Sequence, residues 1–341
     1  MEPMAIKIKP YIYWLICLLG LFVSGCRDAV PRPQHVAPAH AAIVDQLVGL
    51  NANVITDKSG HITDISFYYN HEAVNPPVYD ADIACLAKVH SLESLNIERT
   101  YISDAGLKAI ASLPHLQGLG LPSISDNGLR HLSNLKELQC LCLLSSKITN
   151  QGLQHLANLH KMEILDLGDT PITSDGLKYL SSMKKLGWLR ISSTQVGDKG
   201  LEHLNNLPAL VDLEANFTMI TDDGVKRIQP LLQQLKSIRL SNTQISDQAI
   251  APIAASPMLE ELYLANTQLT DKGISQLSKL PRLKKLILNG TAATDSGIDA
   301  LAGCKSLKEL FLYDTAVSYK SVEKLKKKLP GIRITLSNRK K

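Results

Sequence analysis

The residues best placed to do chemistry in this chain recur at a fixed interval. Asp166, Arg190, Glu214 and Arg239 alternate in sign at spacings of 24, 24 and 25 residues, and Trp188, Asp212 and Phe217 fall beside them. Carboxylates and guanidinium groups alternating in this way either neutralise one another or, with an aromatic among them, contact a partner. They do not compose a nucleophile, a base and an acid. A second group, Tyr263, Ile287, Phe311 and Tyr313, continues the same positions toward the C-terminus. It reads either as a second apolar contact patch or as a cover for the end of the underlying sheet. Catalytic patterns are missing: the sequence holds no G-x-S-x-G, H-E-x-x-H, P-loop or C-x-x-C. Cys140 and Cys142 form a C-x-C without the second ligand pair of a zinc site. His131, His155 and His203 occupy one helix column, beside Tyr179 in the intervening unit, and read as a polar stripe facing solvent. Asn216-Phe217-Thr218 and Asn289-Gly290-Thr291 match the glycosylation sequon, but both threonines belong to the repeat. No catalytic residue, metal or cofactor is expected.

The elements that position these residues are set by the repeat itself. Leucine or methionine opens a unit at Leu92, Leu116, Leu138, Met162, Leu186, Leu210, Leu235, Leu259, Leu283 and Leu307, and seven of the nine intervals are 24 residues. Each unit reads L-x-x-L-x-L-x-x-T-x-I-[ST]-D-x-G-L-x-x-L-x-x-L. A fixed period of this size means a stacked array, in which no unit buries its apolar face alone. Leucines alternating at period two predict a short strand, and its repetition predicts a parallel sheet. The recurrent threonine (Thr100, Thr170, Thr194, Thr218, Thr243, Thr267, Thr291, Thr315) is expected to hydrogen-bond a neighbouring coil's backbone. Asp at 104, 126, 198, 222, 247, 271 and 295, with Asn150 and Ser174, is expected to cap a return helix. The glycine two places later becomes Ala249 and Ser321 in two units, so small size against the adjacent coil explains it better than a positive φ.

These I-[ST]-D-x-G-L units resemble the leucine-rich repeats of the cysteine-containing and GALA-like type, over roughly residues 62–336. The resemblance implies an α/β solenoid, curved and right-handed, of about eleven units. A parallel sheet would line its concave face and short helices its convex face. It carries little about function. F-box members owe their ubiquitin-ligase role to a separate F-box, and residues 26–61 are too short to form one.

Composition fits an aliphatic-cored array: 341 residues, 45% hydrophobic but only 5% aromatic. The net charge of +5 misleads, because residues 320–341 hold nine basic residues against Glu323 and contribute +8. The remainder is about −3, which offers no basic field for nucleic acid. The tail itself reads as a polar end cap, or as a group drawn to anionic lipid. At the other end Lys7 and Lys9 precede thirteen apolar residues, Tyr11–Val23. That run is too short to span a bilayer but suits a secretory signal. It closes on Val23-Ser24-Gly25-Cys26, which resembles the bacterial lipoprotein lipobox. The resemblance implies removal of residues 1–25 and acylation of Cys26. It places the chain in a bacterial cell envelope, with Arg27 favouring the outer membrane over the inner. Residues 26–40 read as a Pro/Ala linker with a reach of up to about 50 Å. Residues 41–61 read as an N-terminal cap of helix and hairpin, and 337–341 as a basic tail.

The expectation is a membrane-tethered module that binds a protein or peptide on its concave face. An architectural envelope protein without a dedicated ligand is the second reading. An enzyme with an unrecognised site is the weakest.

Overall fold

A computed structural model of the chain describes residues 32–67 and 77–336. They fall into two units, one ending at Ser146 and one beginning at Lys147.

The first unit opens with helix α1 (Ala41–Gly49), which buries Val44 and Leu47. An antiparallel hairpin follows, β1 (Ala52–Thr56) and β2 (Ile62–Phe67). Its turn is closed by the Asp57 carboxylate, which accepts the N–H groups of Ser59 and His61 at 2.8 and 2.9 Å. Gly60 sits there at φ +81°, and a Cβ on it would lie 2.5 Å from the Ala37 nitrogen. Of the stretch 26–40 expected to be a linker, the described part from residue 32 onward is therefore docked on this unit. Ala37 N–H donates to the Gly60 carbonyl at 2.8 Å, and the Thr56 hydroxyl donates to the His35 carbonyl at 2.8 Å. Arg32 pairs with Asp45 of α1 at 2.8 Å. From β2 onward the pairing is parallel, through β3 (Ser94–Asn96), β4 (Gly118–Gly120) and β5 (Cys140–Cys142). Cys140 and Cys142 are both buried, while Cys85 is half-buried.

The second unit contains β6 (Ile164–Asp166), β7 (Trp188–Arg190), β8 (Asp212–Glu214), β9 (Ser237–Arg239), β10 (Glu261–Tyr263), β11 (Lys285–Ile287), β12 (Glu309–Leu312) and β13 (Arg333–Leu336). They pair in chain order, all parallel, without slips of register. The central residues Leu165, Leu189, Leu213, Ile238, Leu262, Leu286 and Leu310 are completely buried, each worth about 1.5–3 kcal/mol of transfer energy. The flanking strand residues then face the opposite, open side of the sheet. In both units short helical turns return the chain, so the architecture is α/β, with strands on one side and helices on the other.

Two devices hold the coils in shape and in stack, and both differ in detail from expectation. The recurrent threonine does not reach across. Its hydroxyl donates to the carbonyl three residues earlier in its own coil, as in Thr170 to Leu167 (2.6 Å), Thr218 to Ala215 (2.8 Å) and Thr291 to Leu288 (2.6 Å). From Thr170 onward the residue before each of these threonines is left-handed, which folds the chain back onto that carbonyl. Their counterpart Ser146 does bond the preceding coil, at the Pro122 carbonyl.

The aspartate, expected to cap the return helix, is instead its first residue. In several coils the Ser or Thr before it is extended and caps: Thr221 accepts from the Asp223 N–H at 3.2 Å and Thr270 from Lys272 at 3.3 Å. The aspartate reaches the next coil instead. Asp198 accepts both the N–H and the hydroxyl of Thr221, at 2.8 and 2.7 Å, and Asp247 does the same for Thr270, at 2.9 and 2.6 Å. The recurrent glycine makes room for this carboxylate, since a Cβ on Gly128 would come within 2.5 Å of Asp104 Oδ1. The array ends in α2 (Tyr319–Lys328) beside β13, with Lys324 paired to Asp299.

Candidate functional site

The open face of the second unit gathers the charged residues into one network. Strand register sets Asp166 beside Arg190, Arg190 beside Glu214 and Glu214 beside Arg239. Arg190 Nη1 lies 3.4 Å from Asp166 Oδ2. Its Nε is 3.2 Å from Glu214 Oε1, close enough for attraction but misaligned for a hydrogen bond. Arg239 is shared by three carboxylates: Asp212 at 2.7 Å, Glu261 at 3.6 Å and Glu214 at 3.8 Å. Its guanidinium also lies over the Tyr263 ring, 4.8 Å from the centroid.

The sharing has electrostatic consequences. Burial works against the Arg239 charge, but Asp212, Tyr263 and Glu214 outweigh it and hold the guanidinium above its usual range. Each carboxylate receives only a share of one cation. Asp212, desolvated and repelled by Glu261 and Glu214, is pushed up to about 6 despite Arg239. Asp166 is completely buried. Burial raises its carboxyl above the ordinary value, even with Arg190 beside it and the Gly168 N–H bonded at 2.8 Å.

Trp188 does not project as the sequence suggests. Its strand position faces the open side, yet only 8% of the residue is exposed. A wide indole set in register between Ile164, itself 7% exposed, and Asp212 keeps little free perimeter. Phe217 is the opposite case: it is 60% exposed, and Met219, two residues on, is 59% exposed. Phe217 also adopts φ +53°, the left-handed region. Ser193, Asn242, Asn266 and Gly290 take this conformation at the matching place, and short polar residues or glycine suit it. A bulky aromatic there is an outlier.

The second expected patch is not an exposed apolar area. Tyr263, Ile287 and Phe311 are half-buried and Tyr313 is 40% exposed. Lys285 lies over both the Tyr263 and Phe311 rings, at 5.3 and 5.8 Å. Arg239 on Tyr263 joins this group to the charged row, so the two patches are one surface. The sequence reading misses Met219, Glu261, Lys285, Glu309 and Arg333. The last four share the register column of Trp188 and Asp212, which is the signal that could have found them. In the first unit, Tyr79 and Tyr101 stack at 5.6 Å with both rings exposed, a contact the repeat pattern does not announce. Cys26 lies outside the described residues.

Stacked parallel strands, a buried leucine spine and a varied polar face define a repeat protein of the solenoid class. A family model described as a leucine-rich repeat region matches residues 77–334, and the chain belongs to that family. An internalin (inlF) from Listeria monocytogenes is similar in structure, with TM-score 0.51 at 19% identity over 80% of this chain and 92% of that one. A second, internalin C2 (inlC2) of the same organism, gives TM-score 0.43 at 25% identity over 58% and 87%. Comparison with curated proteins returned no match.

Proposed function

We propose that this chain is a protein- or peptide-binding scaffold that uses the open face of its second unit, and that it is tethered to a bacterial envelope membrane by lipid on Cys26. The observation that carries the binding reading is Phe217, an exposed aromatic in a backbone conformation that disfavours it, with Met219, also exposed, two residues on. Neither exposure nor conformation stabilises the folded chain, so the residue is best explained by what it contacts. The ion pairs of Arg190 and Arg239 are largely satisfied within the face. Their contribution is to set charge and register, while the apolar pair supplies contact energy. The repeat type matches the I-[ST]-D-x-G-L class, and no chemical step is assigned to it.

The tether rests on Val23–Cys26 and the short apolar run before it. Counting back from Arg32, which pairs with Asp45, to Cys26 gives six residues, about 20 Å at full extension. The domain would then stand close to the membrane, the outer one if Arg27 acts as the sorting residue. The test is a photo-crosslinking residue in place of Met219, expressed in intact cells, with Phe217→Asn as the comparison. Crosslinked partners that disappear with Phe217→Asn support the reading. A partner set identical with and without Phe217, or none at all, removes this face from consideration.

A further inference from the structure

Around Phe217 the open face carries more carboxylate than guanidinium. Asp212, Glu214 and Glu261 stand against Arg190 and Arg239, three negative groups on two positive ones, and Arg190 is also shared with the buried Asp166. The residue before each strand does not reverse this excess: Glu163, Lys236 and Glu260 precede β6, β9 and β10, and Glu260 is held by Lys284 at 2.7 Å. Beyond Tyr263 the sign changes, with Lys285 and Arg333 sharing Glu309. Ser237 adds an independent sign of an unfilled role. It lies in register between Asp212 and Glu261, is 5% exposed, and its hydroxyl has no hydrogen-bond partner. Buried hydroxyls are normally satisfied. An ammonium group, with three donors to place, suits a column of two carboxylates and a free hydroxyl oxygen.

We propose that the partner segment recognised here is cationic: a lysine or arginine side chain seats against Asp212, Glu214 and Glu261, and an adjacent apolar side chain packs on Phe217 and Met219. The proposal rests on the binding reading above and specifies its partner. An acidic segment is disfavoured because both arginines are already committed, and Arg239 is 12% exposed and held over Tyr263. An anionic membrane surface is disfavoured by the same excess of charge.

The test uses the full chain in mild detergent with two fluorescein-labelled peptides of about twelve residues. One is built of Lys, Leu and Gly, and the other has Glu for every Lys. Anisotropy should show the lysine peptide binding at least ~10-fold tighter, weakening several-fold between about 0.05 and 0.5 M salt as exposed charges are screened. Glu261→Gln should weaken it about 3–5-fold and Phe217→Asn about 10-fold, while the helix-side variant Lys199→Ala leaves it unchanged. Equal or tighter binding of the glutamate peptide overturns the proposal, as does a lysine-peptide affinity indifferent to Glu261→Gln and Phe217→Asn, or no binding of either peptide. Sequencing the partner peptide crosslinked from position 219 keeps the two levels apart. A neutral or acidic crosslinked segment refutes the cationic partner and leaves the scaffold standing, whereas loss of all crosslinking removes the scaffold itself.

Discussion

Replacing Phe217 by asparagine should separate stability from binding, because the two respond to different properties of that side chain. At φ +53° the phenylalanine carries a left-handed penalty of about 1 kcal/mol or somewhat more, much of which asparagine relieves. Against this stands lost packing. With 60% of the residue exposed, the covered part is about 80 Å², worth about 2 kcal/mol as an upper estimate. The two largely offset each other, so Phe217→Asn should change unfolding free energy by no more than about 1 kcal/mol. A buried phenylalanine truncated to alanine would lose about 3–5 kcal/mol. Partner capture should instead fall by ~1–2 kcal/mol, or about 5–30-fold, as expected of an aromatic anchor. Chemical denaturation followed by circular dichroism gives the first quantity, and crosslinking yield from position 219 gives the second. The reciprocal variant Asn242→Phe, one coil on at φ +57°, should cost about 1 kcal/mol of stability, because it adds the strain and also breaks the Asn266–Asn242 side-chain bond. The reasoning is refuted if Phe217→Asn destabilises by about 3 kcal/mol or more with capture intact, since Phe217 would then behave as a core residue.

Other substitutions test the scaffold and the tether. Leu189→Ala, at a completely buried position, should cost about 2–5 kcal/mol, while exposed Lys199→Ala should cost under about 0.5 kcal/mol; similar losses would mean the faces are reversed. Asp247→Ala removes two bonds to Thr270 and should cost about 1–3 kcal/mol. Asp247→Asn should cost well under half of that, because Asn150 already serves Thr173 through its amide at 2.7 and 3.0 Å; equal losses from both variants would rule out a hydrogen-bonding role. Asp212, raised from 3.8 to about 6, binds its proton more tightly in the folded than in the unfolded protein. Its contribution is therefore full below pH 3.8 and is lost as pH rises through 6, by about 3 kcal/mol at most. Asp212→Asn should flatten that part of the stability–pH curve, and an unchanged slope would assign it to another group. Cys26→Ser should abolish incorporation of a fatty-acid analogue, and equal labelling of parent and variant would end the lipoprotein reading.

The fold is legible in the sequence because its determinants are periodic and local. Leucines at fixed spacing identify which residues go inward, and register then follows from equal repeat lengths. What sequence leaves open depends on dihedral angles and on neighbours. The choice of capping residue is one case: Thr221 and Asp222 are both good caps, and only the extended backbone at Thr221 decides between them. The threonine bond is another, since whether Thr170 reaches its own carbonyl or the next coil depends on the left-handed Asp169 before it. Alternation puts Trp188 on the open side but says nothing of the width of its neighbours. It also makes Tyr263 look like apolar surface, although the ring chiefly supports two cations.

The two ladders on the turn and helix side explain why an unfavourable residue can persist on the open face. In most coils threonine closes the chain on itself and aspartate ties it to the next coil through backbone and hydroxyl together, with Ser146, Asn150 and Ser174 as the departures. Neither contact involves a side chain from the open face. Variation there leaves the stacking intact, so the second unit tolerates a strained Phe217 and a carboxylate excess that an ordinary core could not absorb. A local rule broken without any compensating gain in the fold is the mark of a position kept for contact. At the left-handed positions described in the second unit, Phe217 alone breaks the preference for glycine or a short polar side chain. That exception adjoins the network where three carboxylates share Arg239, so strain, exposure and unbalanced charge converge on one part of the surface. A strained, exposed aromatic and an unbalanced charge network beside it would not be expected to coincide on a purely architectural face.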